Sequence, residues 1–235
     1  MPSLPFPPRS LIVSVQASQG EPLYPTPILE ALCHSVVAGG AMGLRIATPA
    51  LIPVLKQAYP QLPIIALTKP EPIPASAENH VYITATLADA LLLAQAGADV
   101  VALDATQRNR PDGFSLREVI TQLKAKFPAV LVMADVDSLA SATYAHTCGV
   151  DMISTTLAGY TTETQATSPK NSPDFALLTA LISAFPTVPI IAEGRFWDVS
   201  EVAKALTLGA YGVVVGSAIT RPHHITARFL TATTC

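Results

Sequence analysis

The residues best suited to chemistry in this 235-residue chain are polar side chains placed at or just beyond the ends of short apolar runs. Lys69 and Glu193 are two of them, an amine and a carboxylate, groups that can exchange a proton. Gln16, Arg45, Asp104, Asp135 and the segment Ser154-Thr155-Thr156 occupy equivalent positions after other apolar runs. A second group reads as an anion site. Glu193-Gly194-Arg195 and Gly216-Ser217-Ala218-Ile219-Thr220-Arg221-Pro222 combine glycines that let backbone N–H groups approach a ligand, a hydroxyl at Ser217, and in Arg221 a guanidinium fork that matches phosphate oxygens.

Such side chains converge only if their carriers do. Apolar runs at residues 11–15, 42–46, 64–67, 100–103, 130–134, 152–155, 190–192 and 212–215 carry almost no charge, the pattern of parallel strands buried on both faces. Helix signals lie between them. Thr26-Pro27, Thr48-Pro49 and Ser172-Pro173 place a capping hydroxyl before a proline, and Thr86 with Asp89 and Asp198 with Glu201 have capping-box spacing. Pro63, Pro128 and Pro189 precede alternate strands; Gly40, Gly97, Gly149 and Gly209 precede the others, recurring at roughly 50–65 residues, the length of a βαβα quarter. That regularity favours a single (β/α)₈ (TIM) barrel of the phosphate-binding type over an open sheet with a switch point, and the length suits it. The expected organisation is a short arm over residues 1–10 and a barrel over residues 11–235. In such a barrel the strands' C-terminal ends form the site, which is where the polar residues fall. Residues 68–85, a connection with Pro70, Pro72 and Pro74 and a strand-like piece at 81–84, are expected to lie over the mouth as a partial lid.

Composition excludes several functions. Net charge is −3 with 14 Lys plus Arg and no basic run, unlike a nucleic-acid binder. The first apolar run is too short for a signal sequence or a membrane span. The three cysteines, Cys33, Cys148 and Cys235, lack metal-ligand spacing; Cys33 and Cys148 fall in apolar helix patterns as buried thiols, which fits the reducing cytoplasm. Asp104 and Asp135 have no companion histidine, so no metal is expected. No cofactor is expected either, since no Gly-x-Gly-x-x-Gly turn follows the first strand. His34, His80 and His146 lie away from the strand ends, and His223 and His224 read as one helix face.

Val15-Gln16-Ala17, Glu21-Pro22-Leu23, Gly39-Gly40-Ala41, Ala102-Leu103-Asp104-Ala105-Thr106, Arg110-Pro111-Asp112-Gly113 and Met133-Ala134-Asp135 form an ordered series of phrases. Ser154-Thr155-Thr156-Leu157, Gly159-Tyr160-Thr161, Ile191-Ala192-Glu193-Gly194 and the run from Val214 to Pro222 continue it. With them the chain resembles the bacterial N-acetylmannosamine-6-phosphate 2-epimerases, the NanE-type family, over nearly its whole length after residue 10. The resemblance implies Lys69 and Glu193 as catalytic residues, and Gln16, Arg45 and Asp135 as side chains that hold the sugar. Arg221 is implied as the phosphate ligand, joining the phosphate loop of Gly194, Gly216 and Ser217. It implies an amino-sugar 6-phosphate as substrate and a homodimer as the assembly. The chain departs from the family at Pro70-Glu71-Pro72, where a basic residue, an acidic residue and Tyr are usual, and at Ile46-Ala47-Thr48.

Taken alone, the residues leave other readings open. Another phosphate-binding barrel enzyme, an aldolase or cyclase, would use a lysine inside the barrel as a Schiff-base nucleophile, whereas Lys69 lies just past its strand. A non-catalytic sugar-phosphate sensor could dispense with Lys69 or Glu193, and both are present. The sequence also sets a conflict, because a carboxylate near Lys69 favours its charged form unless burial or a cation such as Arg45 outweighs it.

Overall fold

A computed structural model describes residues 4–72 and 77–233. Among the described residues eight strands close in sequence order into a parallel barrel. They are β1 (Ser10–Val15), β2 (Gly43–Ile46), β3 (Ile64–Ala66), β4 (Val100–Asp104), β5 (Leu131–Asp135), β6 (Met152–Ser154), β7 (Ile190–Glu193) and β8 (Gly212–Val215). Closure is made by β8 against β1, Ser10 pairing with Gly212 and Val13 with Val215. The helices are α1 (Thr26–Ala38), α2 (Leu51–Ala58), α3 (Leu87–Gln95), α4 (Leu116–Lys126), α5 (Leu139–Cys148), α6 (Phe175–Ala184), α7 (Val199–Leu208), the short α8 (Ser217–Thr220) and α9 (Pro222–Leu230).

Strand side chains alternate between two cores, as a period of two demands. Val13, Val101, Leu103, Val132 and Val213 face the helices in one cluster, while Ile12, Ile65, Val100, Met133, Ile191 and Val214 fill the barrel interior in another. The segment expected as a simple arm contributes to the second: Phe6 is buried at the N-terminal end, and the Tyr211 hydroxyl donates to its carbonyl at 2.9 Å. An aromatic ring there closes the end of the barrel remote from the site.

Thr86 and Asp198 form the anticipated capping boxes, and Gly149 and Gly209 end α5 and α7 in the left-handed conformation. The three hydroxyl caps before prolines are not formed. α1 starts at Thr26 itself with Pro25 as its N-cap; α2 starts at Leu51 after a turn in which the Leu51 N–H binds the Thr48 carbonyl. Asp174, not Ser172, caps α6 by accepting from the Leu177 N–H. In α6 the proline stands ahead of the helix, leaving the cap to the residue after it. Residues 81–84 form no strand. The Ile83 carbonyl accepts from the Asp104 N–H, the Thr84 N–H donates to the Thr68 carbonyl, and Thr84 turns to a φ of 45°, which ends any ladder. Pro74 and Cys235 lie outside the described residues. Cys33 and Cys148 are buried, and no described helix is long and apolar enough to cross a membrane.

Candidate active site

The inward alternation that fills the barrel continues into the polar residues at its mouth. Ile12 leads to Ser14 and Gln16, and Ile65 leads through Leu67 to Lys69. Met133 leads to Asp135, Met152 to Ser154 and Thr156, and Ile191 to Glu193. The same backbone geometry that packs the core therefore aims these side chains into a cavity of about 640 Å³ at the C-terminal ends of the strands. Gln16, Lys69, Thr156, Glu193 and Arg221 line it. Arg45 and Asp135 do not: they lie beneath its floor, 1% and 0% exposed.

Arg45 organises that floor. Its Nη1 and Nη2 donate to the Asp135 carboxylate at 3.1 and 2.7 Å, and Nη1 also lies 3.2 Å from Glu193 Oε2. The Lys69 ammonium donates to Gln16 Oε1 at 2.8 Å, and the Gln16 amide donates in turn to Ser14 Oγ at 2.8 Å. No ion pair joins Lys69 to Glu193 among the described residues; Glu193 pairs with Arg45. The conflict posed by the sequence is thereby resolved. Burial, and next the Arg45 cation, push the Lys69 ammonium down to about 8, against the opposing pull of Glu193 and Asp135. Burial holds the Glu193 carboxyl above its usual range although Arg45 works against this. A lysine lowered to about 8 and a carboxyl raised above its usual range thus share one cavity, reached from strands that barrel closure sets four places apart.

The residues expected to form an anion site lie at the ends of β7 and β8 and on and after α8. Gly194 takes a φ of 107°, open to glycine and strained for other residues. Gly216 caps α8 with its Cα close against Ser14, where an added Cβ would meet the Ser14 Cβ at 3.4 Å. The Ser217 and Ala218 N–H groups at the start of α8 have no intrahelical acceptor, whereas the Ile219 N–H already donates to the Gly216 carbonyl at 2.8 Å. Arg221 reaches the same cavity, with Nε 3.3 Å from the Gln16 carbonyl and Nη1 3.2 Å from Glu21 Oε1. Glu21 thus fixes the guanidinium at the cavity wall.

The lid segment lies where expected, as far as it is described. Ala77–Asn79 form a 3₁₀ turn whose Ala77 and Glu78 carbonyls accept from Arg108 Nη1 at 3.0 and 2.9 Å, and Thr162 Oγ1 donates to Asn79 Oδ1 at 2.6 Å. Glu78 and Tyr82 face the cavity. Asp104, on the same ring of strand ends, is not presented to it. Thr106 Oγ1 and Arg108 Nη2 bind its carboxylate at 2.7 and 2.8 Å, so it anchors the loop under the lid. Sequence reasoning passed over Ser14 and named Arg195 only as part of the loop after the seventh strand, with no role of its own. Ser14 was legible from the alternation. Arg195, at a φ of 60°, donates to the Ala158 carbonyl at 2.7 Å and lies 4.3 Å over the Tyr160 ring at the cavity wall, a position set by a loop that carries no period.

A closed eight-stranded parallel barrel, with glycines and Arg221 after its last two strands and a lysine and a carboxyl on the same cavity, defines a (β/α)₈ barrel of the phosphate-binding type. The family described as "Putative N-acetylmannosamine-6-phosphate epimerase" matches residues 29–235. The "Putative N-acetylmannosamine-6-phosphate 2-epimerase" of Caldanaerobacter subterraneus subsp. tengcongensis is 41% identical over 95% of this chain and 90% of its own length. The structure of the N-acetylmannosamine-6-phosphate 2-epimerase from Clostridium perfringens superposes with a TM-score of 0.86 at 38% identity, over 95% of this chain and 93% of that one. A thiamine phosphate pyrophosphorylase from Pyrococcus furiosus, at 15% identity and a TM-score of 0.54 over 89% of this chain and 86% of that one, shares the fold alone. The chain belongs to the N-acetylmannosamine-6-phosphate epimerase family.

Proposed function

We propose that this protein is an isomerase that converts N-acetylmannosamine 6-phosphate to N-acetylglucosamine 6-phosphate by removing the C2 proton and returning it to the opposite face. The observation that carries the reading is that Lys69 and Glu193 line one cavity together with Gly194, Gly216, Ser217 and Arg221; the lysine is lowered to about 8 and the carboxyl raised by burial. With the sugar ring open, the C2 hydrogen lies beside an aldehyde. The neutral Lys69 amine takes it, the electron pair moves into an enolate, and the Glu193 carboxyl stabilises the charge that develops on the C1 oxygen. The reaction moves one proton and changes no oxidation state, so it balances without a redox cofactor. Gln16 orients Lys69 and reaches the sugar; Arg45 and Asp135 act on the substrate through Glu193.

The 6-phosphate is assigned to Gly194, Gly216, Ser217 and Arg221. Arg221→Ala is expected to raise KM at least about tenfold, because a charge-assisted contact of roughly 1.5–3 kcal/mol is lost. Comparing the phosphorylated sugar with its free counterpart checks the same assignment; equal turnover of the two would remove it.

The reaction path is tested in heavy water. Three exchangeable protons on the Lys69 ammonium mix with solvent, so the product is expected to carry deuterium at C2. Complete retention of hydrogen, together with no isotope effect from C2-deuterated substrate, would rule out deprotonation. Failure of borohydride to trap a substrate adduct on Lys69 separates this chemistry from an aldolase.

The substrate's charge confines it to the cytoplasm, where the enzyme would serve amino-sugar breakdown, including that of sialic acid. A homodimer fits α9, which buries none of its residues and leaves Phe229 74% and Leu230 55% exposed.

A further inference from the structure

Thr156 follows β6 on the inward alternation and stands between the two carboxyl groups of the floor. Its Oγ1 lies 2.8 Å from Ser154 Oγ, 2.8 Å from Asp135 Oδ1 and 3.0 Å from Glu193 Oε2. A hydroxyl has one proton to give and two lone pairs to accept with. Three neighbours at hydrogen-bond distance therefore require that one receives the proton and the other two donate. Ser154 can donate. Asp135 cannot, because both its oxygens are engaged by Arg45 as a bidentate anion. The remaining donor has to be Glu193.

We propose that Thr156 is a positioning residue that keeps Glu193 in its acid form in the free enzyme, accepting the Glu193 proton while passing its own hydroxyl proton to Asp135. The opposite arrangement, with Thr156 donating to a Glu193 carboxylate, would turn the Thr156 lone pairs onto Asp135 Oδ1 at 2.8 Å with no proton between them. The groups facing Glu193 are Arg45 from β2, Asp135 from β5 and Lys69 beyond β3. Arg45 and Asp135 cancel, and Lys69 with Glu193 adds no net charge whether both are neutral or both ionised, so the hydrogen-bond count at Thr156 is what decides between the two. The neutral pair is also the one that C2 deprotonation starts from.

The inference rests on the acid–base role proposed for Glu193, yet its test needs no turnover. Full-length protein labelled with ¹³C at glutamate carboxyls is titrated by NMR, the Glu193 signal being the one absent from Glu193→Gln. Glu193 is expected to be protonated at pH 7 in the parent. In Thr156→Val, which keeps the shape and loses the hydroxyl, its midpoint is expected to fall by about one unit or more, since the acid form loses its acceptor. Thr156→Ser is expected to restore it, and kcat is expected to follow, about tenfold down and back. Thr156→Ala serves if the valine variant does not fold. An ionised Glu193 at pH 7 in the parent, or a midpoint unmoved or raised without the hydroxyl, overturns the proposal. Failure of the heavy-water experiment alone would instead strike the epimerase chemistry and leave the titration intact.

Discussion

Replacing Lys69 by methionine is expected to lower turnover by about 10²–10⁴, the range for a positioned acid or base, while making the barrel more stable at neutral pH. The two effects have one cause. In the folded protein the ammonium is depressed to about 8 against an ordinary value of 10.5, so the unfolded chain binds that proton more tightly. Where the unfolded state binds more protons, stability rises with pH. Folding with Lys69 in place therefore carries a penalty that is fully present below pH 8, shrinks between about 8 and 10.5, and is absent above. Methionine fills the same space without charge and removes the penalty, about 1–3 kcal/mol. Urea midpoints at pH 7 should favour the variant, and the difference should close by pH 10.5. Parent activity, if Lys69 acts as the free amine, should climb tenfold per pH unit up to about 8 and then level. A methionine variant that turns over normally would remove Lys69 from the mechanism. One that is less stable than the parent at pH 7 would show that the ammonium is held comfortably, and would undo its role as a base.

What could be read from the sequence was what a periodic backbone dictates. Uncharged runs separated by capped helices specify buried parallel strands, and their regular spacing specifies closure, so Gln16, Lys69 and Glu193 could be placed at one mouth before any coordinates existed. Pairing across the barrel was not legible. Asp104 and Asp135 end neighbouring strands with the same residue type, yet Arg108 draws one into a loop anchor and Arg45 draws the other under the cavity floor. Which cation reaches which carboxylate depends on strand stagger and side-chain length, and neither leaves a local signal. Phe6 was hidden for the opposite reason: a proline-rich segment has no period from which burial could be inferred, and it is covered only because Tyr211 lies beneath it. The hydroxyl caps failed because a Thr-Pro or Ser-Pro pair marks the vicinity of a helix start without deciding which of the next residues takes the cap.

Arg45→Met should be the most damaging change to the floor, costing about 3–5 kcal/mol at neutral pH together with nearly all activity. Arg45 is 1% exposed and is the cation shared by Asp135 and Glu193, so methionine leaves two carboxyl groups in a site with no replacement charge. The loss has a definite pH dependence. Glu193 is already held above its usual range by burial, and Arg45 is the largest influence pulling it back. Without that guanidinium its folded value rises further from the unfolded one. A raised folded value means that the native state binds more protons, so the variant's stability should fall as pH rises through neutrality and partly recover toward pH 5. Lysine cannot substitute, because an ammonium reaches one carboxylate as a point charge where the guanidinium fork spans two. Adding Asp135→Asn to Arg45→Met should regain part of the stability by removing one of the stranded charges, but no activity. The Arg45 charge also contributes to depressing Lys69, so the double variant's lysine holds its proton to higher pH than the parent's and supplies less free amine at pH 7. Chemical denaturation at pH 5 and pH 8, beside turnover at pH 7, separates these expectations. Stability within about 1 kcal/mol of the parent at pH 8 would show that the two carboxyl groups do not depend on Arg45 for their charge.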